Sequence, residues 1–361
     1  MSETPVKVGI IGFGRSGCNI HANAIAKMQD RFIVTAICDE IPERRTHEAF
    51  PEAKPYASAE ELIADKDVEL VVVASYNFSH VKYAIAALDA GKHVLCEKPF
   101  GHTVEQVDEM IAAAKRNNKI LQPFQQRRYE EDFQKVLEII NSGVLGEIKL
   151  IRISWPGFTR RWDWQTSRAF GGGQLYNNGP HLVDHAMELF GKGTPKVTAF
   201  LRNSLSSGDA EDEFEIILTG EGSPKVELSI SATCAYPQDR WLVCGTAGTL
   251  HGNTQKLEWK YVNWQDYPAC PLDTHPIEGR QYCKEPKALE FLTGSWEPEI
   301  AADSGAGAAP APAPVKRLYN SLYDAIRYGQ EQEIKPEDIR RRIAVMQSAY
   351  EQNNIPFPEV K

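Results

Sequence analysis

Apolar residues come in two textures along this chain. In the first third they form short unbroken runs: Val6–Ile11, Phe32–Cys38, Leu70–Ala74 and His93–Cys96. Unbroken runs suit strands covered on both faces. Between them lie stretches with helical spacing, Ser16–Met28, Ser79–Ala90 and Val104–Asn117, before Ile120 and Leu121 open one more strand. Gly91 stands where a helix C-terminus needs a left-handed residue. Asp132–Ser142 reads as an amphipathic helix closed by Gly143. This strand–helix alternation predicts an α/β domain with a doubly wound parallel sheet.

The texture changes near residue 145. Val226–Ala232 alternates strictly with period two, and Ile148–Ser154 does so in part. Alternation marks a sheet with one covered and one wet face. Further strands are expected at Val197–Leu201, Phe214–Leu218, Trp241–Cys244 and Leu257–Val262. The expectation is a C-terminal α+β domain around a largely antiparallel open sheet, whose bare face suits pairing with another subunit. Residues 301–314 are almost wholly Ala, Pro and Gly and read as an extended surface loop. Helices are expected near Lys316–Tyr328 and Pro336–Tyr350, both returning to cover the first domain. The divisions are 1–125, 126–330 and a C-terminal helix in 331–361 that packs back on the first domain.

Composition narrows the classes. The 361 residues are 42% hydrophobic and 25% charged, as in an ordinary globular protein of two domains. The net charge is −9 and no Lys/Arg block stands out, which argues against nucleic acid as partner. No apolar run approaches the ~20 residues of a membrane helix. Met1–Pro5 has neither a basic region nor an apolar core of a leader. The seven cysteines form no Cys-x-x-Cys pair and read as reduced thiols, so the expected location is cytoplasmic.

The first chemistry lies where the opening strand ends. Gly12-Phe13-Gly14-Arg15-Ser16-Gly17 is Gly-x-Gly-x-x-Gly between a strand and a helix. Such glycines allow a tight turn, close approach of a pyrophosphate and close helix packing, and the helix N-terminus favours phosphate. Asp39 ends the second strand roughly 20 residues further on, the spacing of an acid that binds ribose hydroxyls. A carboxylate there repels a 2′-phosphate, so NAD is favoured over NADP; Arg44 and Arg45 follow and read as solvated. A glycine turn without ligand is the plain alternative. On the first reading, residues 1–125 form the NAD-binding domain.

Three other segments carry candidate chemistry. Ser75, Asn77 and His80 follow the buried strand at its carboxyl end, where open parallel sheets bind ligands. They read either as a helix cap or as cap plus cofactor contact. Cys96-Glu97-Lys98-Pro99 ends the next strand, and a lysine there could stabilise negative charge on a reacting oxygen. The third runs from Gly171-Gly172-Gly173 through Asn177, Asn178 and His181 to Asp184 and His185. His181, Asp184 and His185 share a helical face. That face is too incomplete a ligand set for a metal, and none is expected. A histidine general base fits better.

Together these segments resemble the Gfo/Idh/MocA oxidoreductases, the relatives of glucose–fructose oxidoreductase and inositol dehydrogenase. The most specific part is Gly91-Lys92-His93-Val94 running into Glu97-Lys98-Pro99. The resemblance covers nearly the whole chain and implies an N-terminal Rossmann domain, a C-terminal domain whose open sheet forms homodimers or homotetramers, and NAD(P)-linked oxidation of a secondary alcohol. It implies Lys98 as the catalytic lysine, His181 as general acid/base, and Glu97 as a holder of cofactor or of Lys98. Gln126 joins the cofactor set. The family usually has Asp where this chain has Asn177, which puts proton relay at that position in doubt. Lys98 and His181 would then do more of the work, with Asp184 as a helper.

Thr159–Thr166 reads as a substrate loop through Arg161, Trp162 and Trp164, with Arg127 facing the same cleft; Asn177, Asn178 and Asp184 complete the substrate set. The expected substrate is a sugar or glycoside, with C3 of a glucoside as the specific expectation. The alternatives are a cyclitol dehydrogenase, a redox-neutral glycoside-cleaving enzyme with tightly held NAD, and a non-catalytic NAD and sugar sensor.

Overall fold

The computed structural model describes residues 4–236, 238–276, 279, 282–298 and 313–358. Six parallel strands form the first sheet: β1 (Val6–Ile11), β2 (Phe32–Cys38), β3 (Lys54–Tyr56), β4 (Leu70–Val73), β5 (His93–Cys96) and β6 (Leu121–Pro123). Their order is β3-β2-β1-β4-β5-β6. Every residue of β4 is buried, as its unbroken apolar run requires. The order reverses between β1 and β4, so the carboxyl ends of β1, β2, β4 and β5 surround the crevice where ligands bind in such sheets.

The second sheet has eight strands: β7 (Ile148–Pro156), β8 (Lys196–Arg202), β9 (Glu213–Thr219), β10 (Lys225–Ser231), β11 (Trp241–Gly245), β12 (Gly248–Gly252), β13 (Leu257–Tyr261) and β14 (Leu292–Trp296). Their order is β14-β13-β12-β11-β7-β10-β9-β8, antiparallel except where β10 pairs with β7. Val226, Leu228 and Ile230 on β10 and Ile151 and Ile153 on β7 are buried; the helix Gly179–Phe190 packs against β10. Arg152, Glu227 and Ser229 stand on the other face, with the Arg152–Glu227 ion pair lying across it. The alternation along β10 thus has its expected cause. The short strands β3, β12 and β14 escaped the sequence reading.

Both C-terminal helices reach the first domain. The helix Ala313–Tyr328 already rests on the first domain, with Tyr319 and Tyr323 against Phe32 and Arg327 paired with Glu69. The return therefore begins before residue 331. The helix Pro336–Gln352 packs on Val104–Asn117, on Gly179–Phe190 and on β8, so it bridges both sheets. Of the Ala/Pro/Gly stretch, 301–312 lies outside the described residues, and Ala313 and Pro314 open a helix instead of continuing a loop. Among the described residues no helix is long and apolar enough to cross a membrane.

Candidate active site

The glycine loop is tight where the protein needs it and open where a ligand would lie. Gly12 has φ +84°, and a Cβ there would meet the Ser75 backbone at 2.6 Å. A Cβ on Gly17 would stand 2.0 Å from the Gly12 carbonyl oxygen. Gly14 differs: a Cβ would find no neighbour nearer than Arg44 Nη1 at 3.8 Å. Among the described residues nothing demands glycine at position 14, and the space above it fits a dinucleotide pyrophosphate. Asp39 joins this loop to the end of β2. Its Oδ2 accepts from Phe13 N at 2.7 Å and its Oδ1 from Ile41 N at 2.9 Å. Arg45 is not free in solvent, since its Nε donates to the Asp39 carbonyl at 2.8 Å. Arg44 faces the glycine loop.

Lys98 stands at the carboxyl end of β5. Its Nζ donates to the Asn177 main-chain oxygen at 2.9 Å and to Asn177 Oδ1 at 3.1 Å. Burial holds the ammonium below its ordinary range; Glu97 opposes this, and the charges of Arg127, Arg15 and Arg161 reinforce it. Glu97 is buried beneath. Burial alone would raise its carboxyl, but His21 and Lys98 bring it to about 2. His21 Nε2 lies 3.3 Å from Glu97 Oε1, and its Nδ1 lies 2.8 Å from the Tyr319 hydroxyl. The other Glu97 oxygen accepts from Lys98 N at 2.9 Å. Sequence reasoning missed His21 and Tyr319, which lie 298 positions apart and meet only in the fold.

His181 sits on the helix Gly179–Phe190, 4% exposed, with Nδ1 buried and no hydrogen-bond partner among the described residues. Burial holds it well below the ordinary imidazole range, and Arg127, Lys98, His185 and Arg240 add to the effect. Its ring is therefore held in the neutral form. Arg127 lies over the Trp155 ring and pairs with Glu130. Arg161 pairs with Asp163, Trp162 is 73% exposed, and Trp164 meets Tyr76 edge-on at 5.1 Å. Gln126 carries a buried Oε1 with no partner among the described residues. Arg15 is exposed and Ser16 partly buried at the start of the wide helical turn Arg15–Ala22.

Other candidate residues are also engaged by the protein itself. Asp184 is fully buried and accepts from Arg128 Nε at 3.0 Å, Arg128 Nη2 at 2.5 Å and Arg342 Nε at 3.0 Å. It is an internal ion-pair centre, with no face left for substrate. His80, 1% exposed, has Nδ1 2.8 Å from the Pro99 carbonyl and Nε2 3.1 Å from that of Ser75, so it clamps β4 to β5. Asn77 donates to the Gly171 carbonyl at 2.8 Å and ties the domains together. Asn178 donates to Gln174 Oε1 at 2.9 Å. Ser75 and Ser79 share a hydrogen bond of 2.7 Å, while the Ser75 backbone walls the glycine loop.

Glu211 was also invisible to the sequence reading. Its carboxyl lies under Gly173, accepts from Leu175 N at 3.1 Å and from the Tyr350 hydroxyl, and is pushed by burial to about 7. It shapes the turn that carries Asn177.

A parallel sheet of this order and a second, mostly antiparallel domain, with Lys98 of the first held by Asn177 of the second, have the architecture of a two-domain dinucleotide-linked oxidoreductase. The family descriptions agree. Residues 6–125 match "Oxidoreductase family, NAD-binding Rossmann fold", and residues 133–251 match "GFO/IDH/MocA C-terminal domain". The chain belongs to the Gfo/Idh/MocA family. It is 37% identical over 240 residues to inositol 2-dehydrogenase of Salmonella paratyphi B, covering 65% of this chain and 69% of that one. It is 33% identical over 204 residues to D-glucoside 3-dehydrogenase of Escherichia coli, covering 53% and 56%. An NAD-binding protein from Listeria innocua has the same architecture, with a TM-score of 0.79, 26% identity, and coverage of 98% and 99%.

Proposed function

We propose that this protein is an NAD-dependent dehydrogenase acting on a secondary hydroxyl of a sugar or glycoside. The observation that carries the reading is that Lys98 and His181 lie near enough for the lysine charge to act on the imidazole: a lysine Nζ held by Asn177 and, among the described residues, a buried imidazole with an unpartnered nitrogen. Bound NAD would supply the acceptor for the hydride that leaves the substrate carbon. The hydroxyl proton passes to His181, and the Lys98 Nζ donates to the oxygen as it becomes negative. The C–H and O–H bonds break, and a ketone remains. Glu97, kept ionised, orients the Lys98 backbone. Asp39 supports NAD over NADP through its place beside Phe13 N; Arg44, facing the same loop, is the feature that would favour NADP.

A glycoside fits because aromatic faces rim the cleft. Tyr76 contacts Phe78, Trp164 and Phe170, and Trp162 is exposed nearby in sequence. Such faces stack on sugar C–H surfaces. The likeness to a D-glucoside 3-dehydrogenase supports oxidation at C3; the likeness to an inositol 2-dehydrogenase supports a cyclitol as second reading. The bare face of the eight-stranded sheet, with Phe200 60% exposed on β8, is the surface we assign to a homodimer or homotetramer. Seven unpaired cysteines suit a cytoplasmic location.

The test uses purified protein with NAD and, separately, NADP. Glucosides, free sugars and inositols are offered, and reduced nicotinamide is read at its absorbance. Reduction with glucosides and NAD supports the proposal. Turnover of inositols alone selects the cyclitol reading. Absence of reduction with every alcohol, despite NAD binding, overturns it in favour of a sensor. Cleavage of a glycoside with no net NADH identifies redox-neutral chemistry.

A further inference from the structure

Lys98 is not oriented by its own domain. Both its acceptors come from Asn177, and Asn177 is in turn held from the loop that precedes the glycines. Its Nδ2 donates to Gln165 Oε1 at 3.1 Å. An ammonium only donates, so Asn177 must turn Oδ1 towards Lys98 and Nδ2 away from it. The group that receives Nδ2 therefore decides whether the amide stays that way round. That group is Gln165.

Gln165 is fixed from three directions. Its N–H donates to Asp163 Oδ1 at 2.9 Å, and Asp163 is pinned by Arg161. Its carbonyl accepts from Gly173 N at 2.9 Å, and Gly173 in turn accepts from Asn177 N at 2.9 Å. The backbones pass so close that a Cβ on Gly172 would lie 2.4 Å from the Gln165 oxygen. This gives the glycine run a reason: it seats Gln165 against the turn that carries Asn177. Asn177 itself is 8% exposed, so a misdirected amide would leave polar atoms unpaired in a nearly dry site.

We infer that Gln165 is a positioning residue: through the Asn177 amide it holds the acceptor that orients the Lys98 Nζ. The inference rests on the reading of Lys98 as the group that meets the substrate oxygen, and extends the machinery to a residue of the second domain. The arrangement is matched to an amide. A carboxylate at 177 would set an oxygen against Gln165 Oε1 and force the glutamine amide to turn over. Asn177 and Gln165 are therefore a pair.

The experiment reads Lys98 directly. Lysine Nζ is labelled with nitrogen-15, the Lys98 signal is assigned by its absence in K98M, and its titration is followed in wild type, Q165L, Q165E and N177D. The charges that face it stay in place: Glu97 just after β5, Arg15 on the glycine loop, Arg127 after β6 and Arg161 on the loop before the glycines, with the neutral His181 on its helix. In Q165L the amide is free to turn, Lys98 loses one acceptor, and its titration falls by about one pH unit. Q165E keeps an acceptor for Asn177 Nδ2, so Lys98 titrates at or above the wild-type value. N177D raises it. Q165N, too short to reach Asn177, repeats the Q165L result with a smaller change in polarity and guards against misfolding. A Lys98 titration in Q165L and Q165N within about 0.2 of wild type, or failure of Q165E to restore it, overturns the inference. Hydride transfer is measured on the same samples, with kcat roughly tenfold lower in Q165L and NAD affinity unchanged. If Lys98 responds as stated but no alcohol is oxidised, the positioning role stands and the dehydrogenase reading falls.

Discussion

Replacing Asp184 with Asn separates architecture from catalysis at a position whose helical face also carries His181. Asp184 is 0% exposed and accepts three hydrogen bonds from two guanidinium groups, on Arg128 (8% exposed) and Arg342 (2% exposed). The three residues lie after β6, on Gly179–Phe190 and on Pro336–Gln352, so the carboxylate pins the C-terminal helix to both domains. Removing one member of a buried ion cluster costs about 3–5 kcal/mol, because the remaining charges stay buried and unpaired. Glu188 and Asp338 remain within 3.7 Å and 3.6 Å of Arg128 and soften the loss, which places D184N near the lower end. That corresponds to a fall in Tm of roughly 5–10 °C.

The pH dependence of that gap follows from the charge. Burial pushes the Asp184 carboxyl up, but Arg128 and Arg342 outweigh it and hold it below the usual carboxylate range. A lowered native pKa gives stability that is present above the unfolded value, about 3.9, and lost as the pH falls through the native one. Wild type and D184N should therefore differ by a constant amount from pH 5 to 8, as round limits, and converge in acid. The assay is urea unfolding across that range, with kcat measured on the folded fraction. A D184N protein that keeps its stability but loses kcat a hundredfold, as loss of a proton carrier would give, would refute the structural account and return Asp184 to the proton path.

Two further outcomes are expected. G14A should bind NAD at least tenfold more weakly with Tm unchanged, because its Cβ meets only ligand space, whereas G12A should lose about 2 kcal/mol or more through its φ and the Ser75 backbone; titration calorimetry and thermal melts distinguish them, and equal destabilisation of both would sink the assignment. The acid limb of kcat/KM should lie below 6.5, since burial keeps His181 neutral through that range; a limb at or above 6.5, or one unchanged in H181Q, would remove His181 as the base.

What was legible in the chain was what repeats or turns. The helix spacing over Val104–Asn117 matches the observed bounds, and in the fold Thr103 caps that helix while Gln106 closes a capping box. β4 and β10 announced themselves by opposite textures, an unbroken run and a strict alternation. Lys98 and His181 stand out as candidates through local motifs at strand and helix ends. Asp184 was misplaced because helical spacing reports which residues share a face and not what that face meets. Asp184, three positions after His181, meets Arg128 and Arg342 from segments far away in sequence. Spacing carries no trace of a partner 158 residues distant.

Asn177 shows the same limit from the other side. In the sequence it stood as a missing carboxylate, a loss measured against related proteins. In the fold it is a linker whose two ends are both used, oxygen to Lys98 and nitrogen to Gln165. An aspartate could make the first contact but not the second with Gln165 as it stands. The amide also changes the electrostatics, leaving Glu97 as the carboxylate that opposes the burial of Lys98, while Arg15, Arg127 and Arg161 press it towards neutrality. A lysine so placed sheds a proton more readily than one beside a second carboxylate. The departure from the family pattern is then a change in where the proton sits at a given pH. N177D should move the pH profile of hydride transfer towards higher pH along with the Lys98 titration. If the profile stays fixed while Lys98 titrates higher, another group governs it.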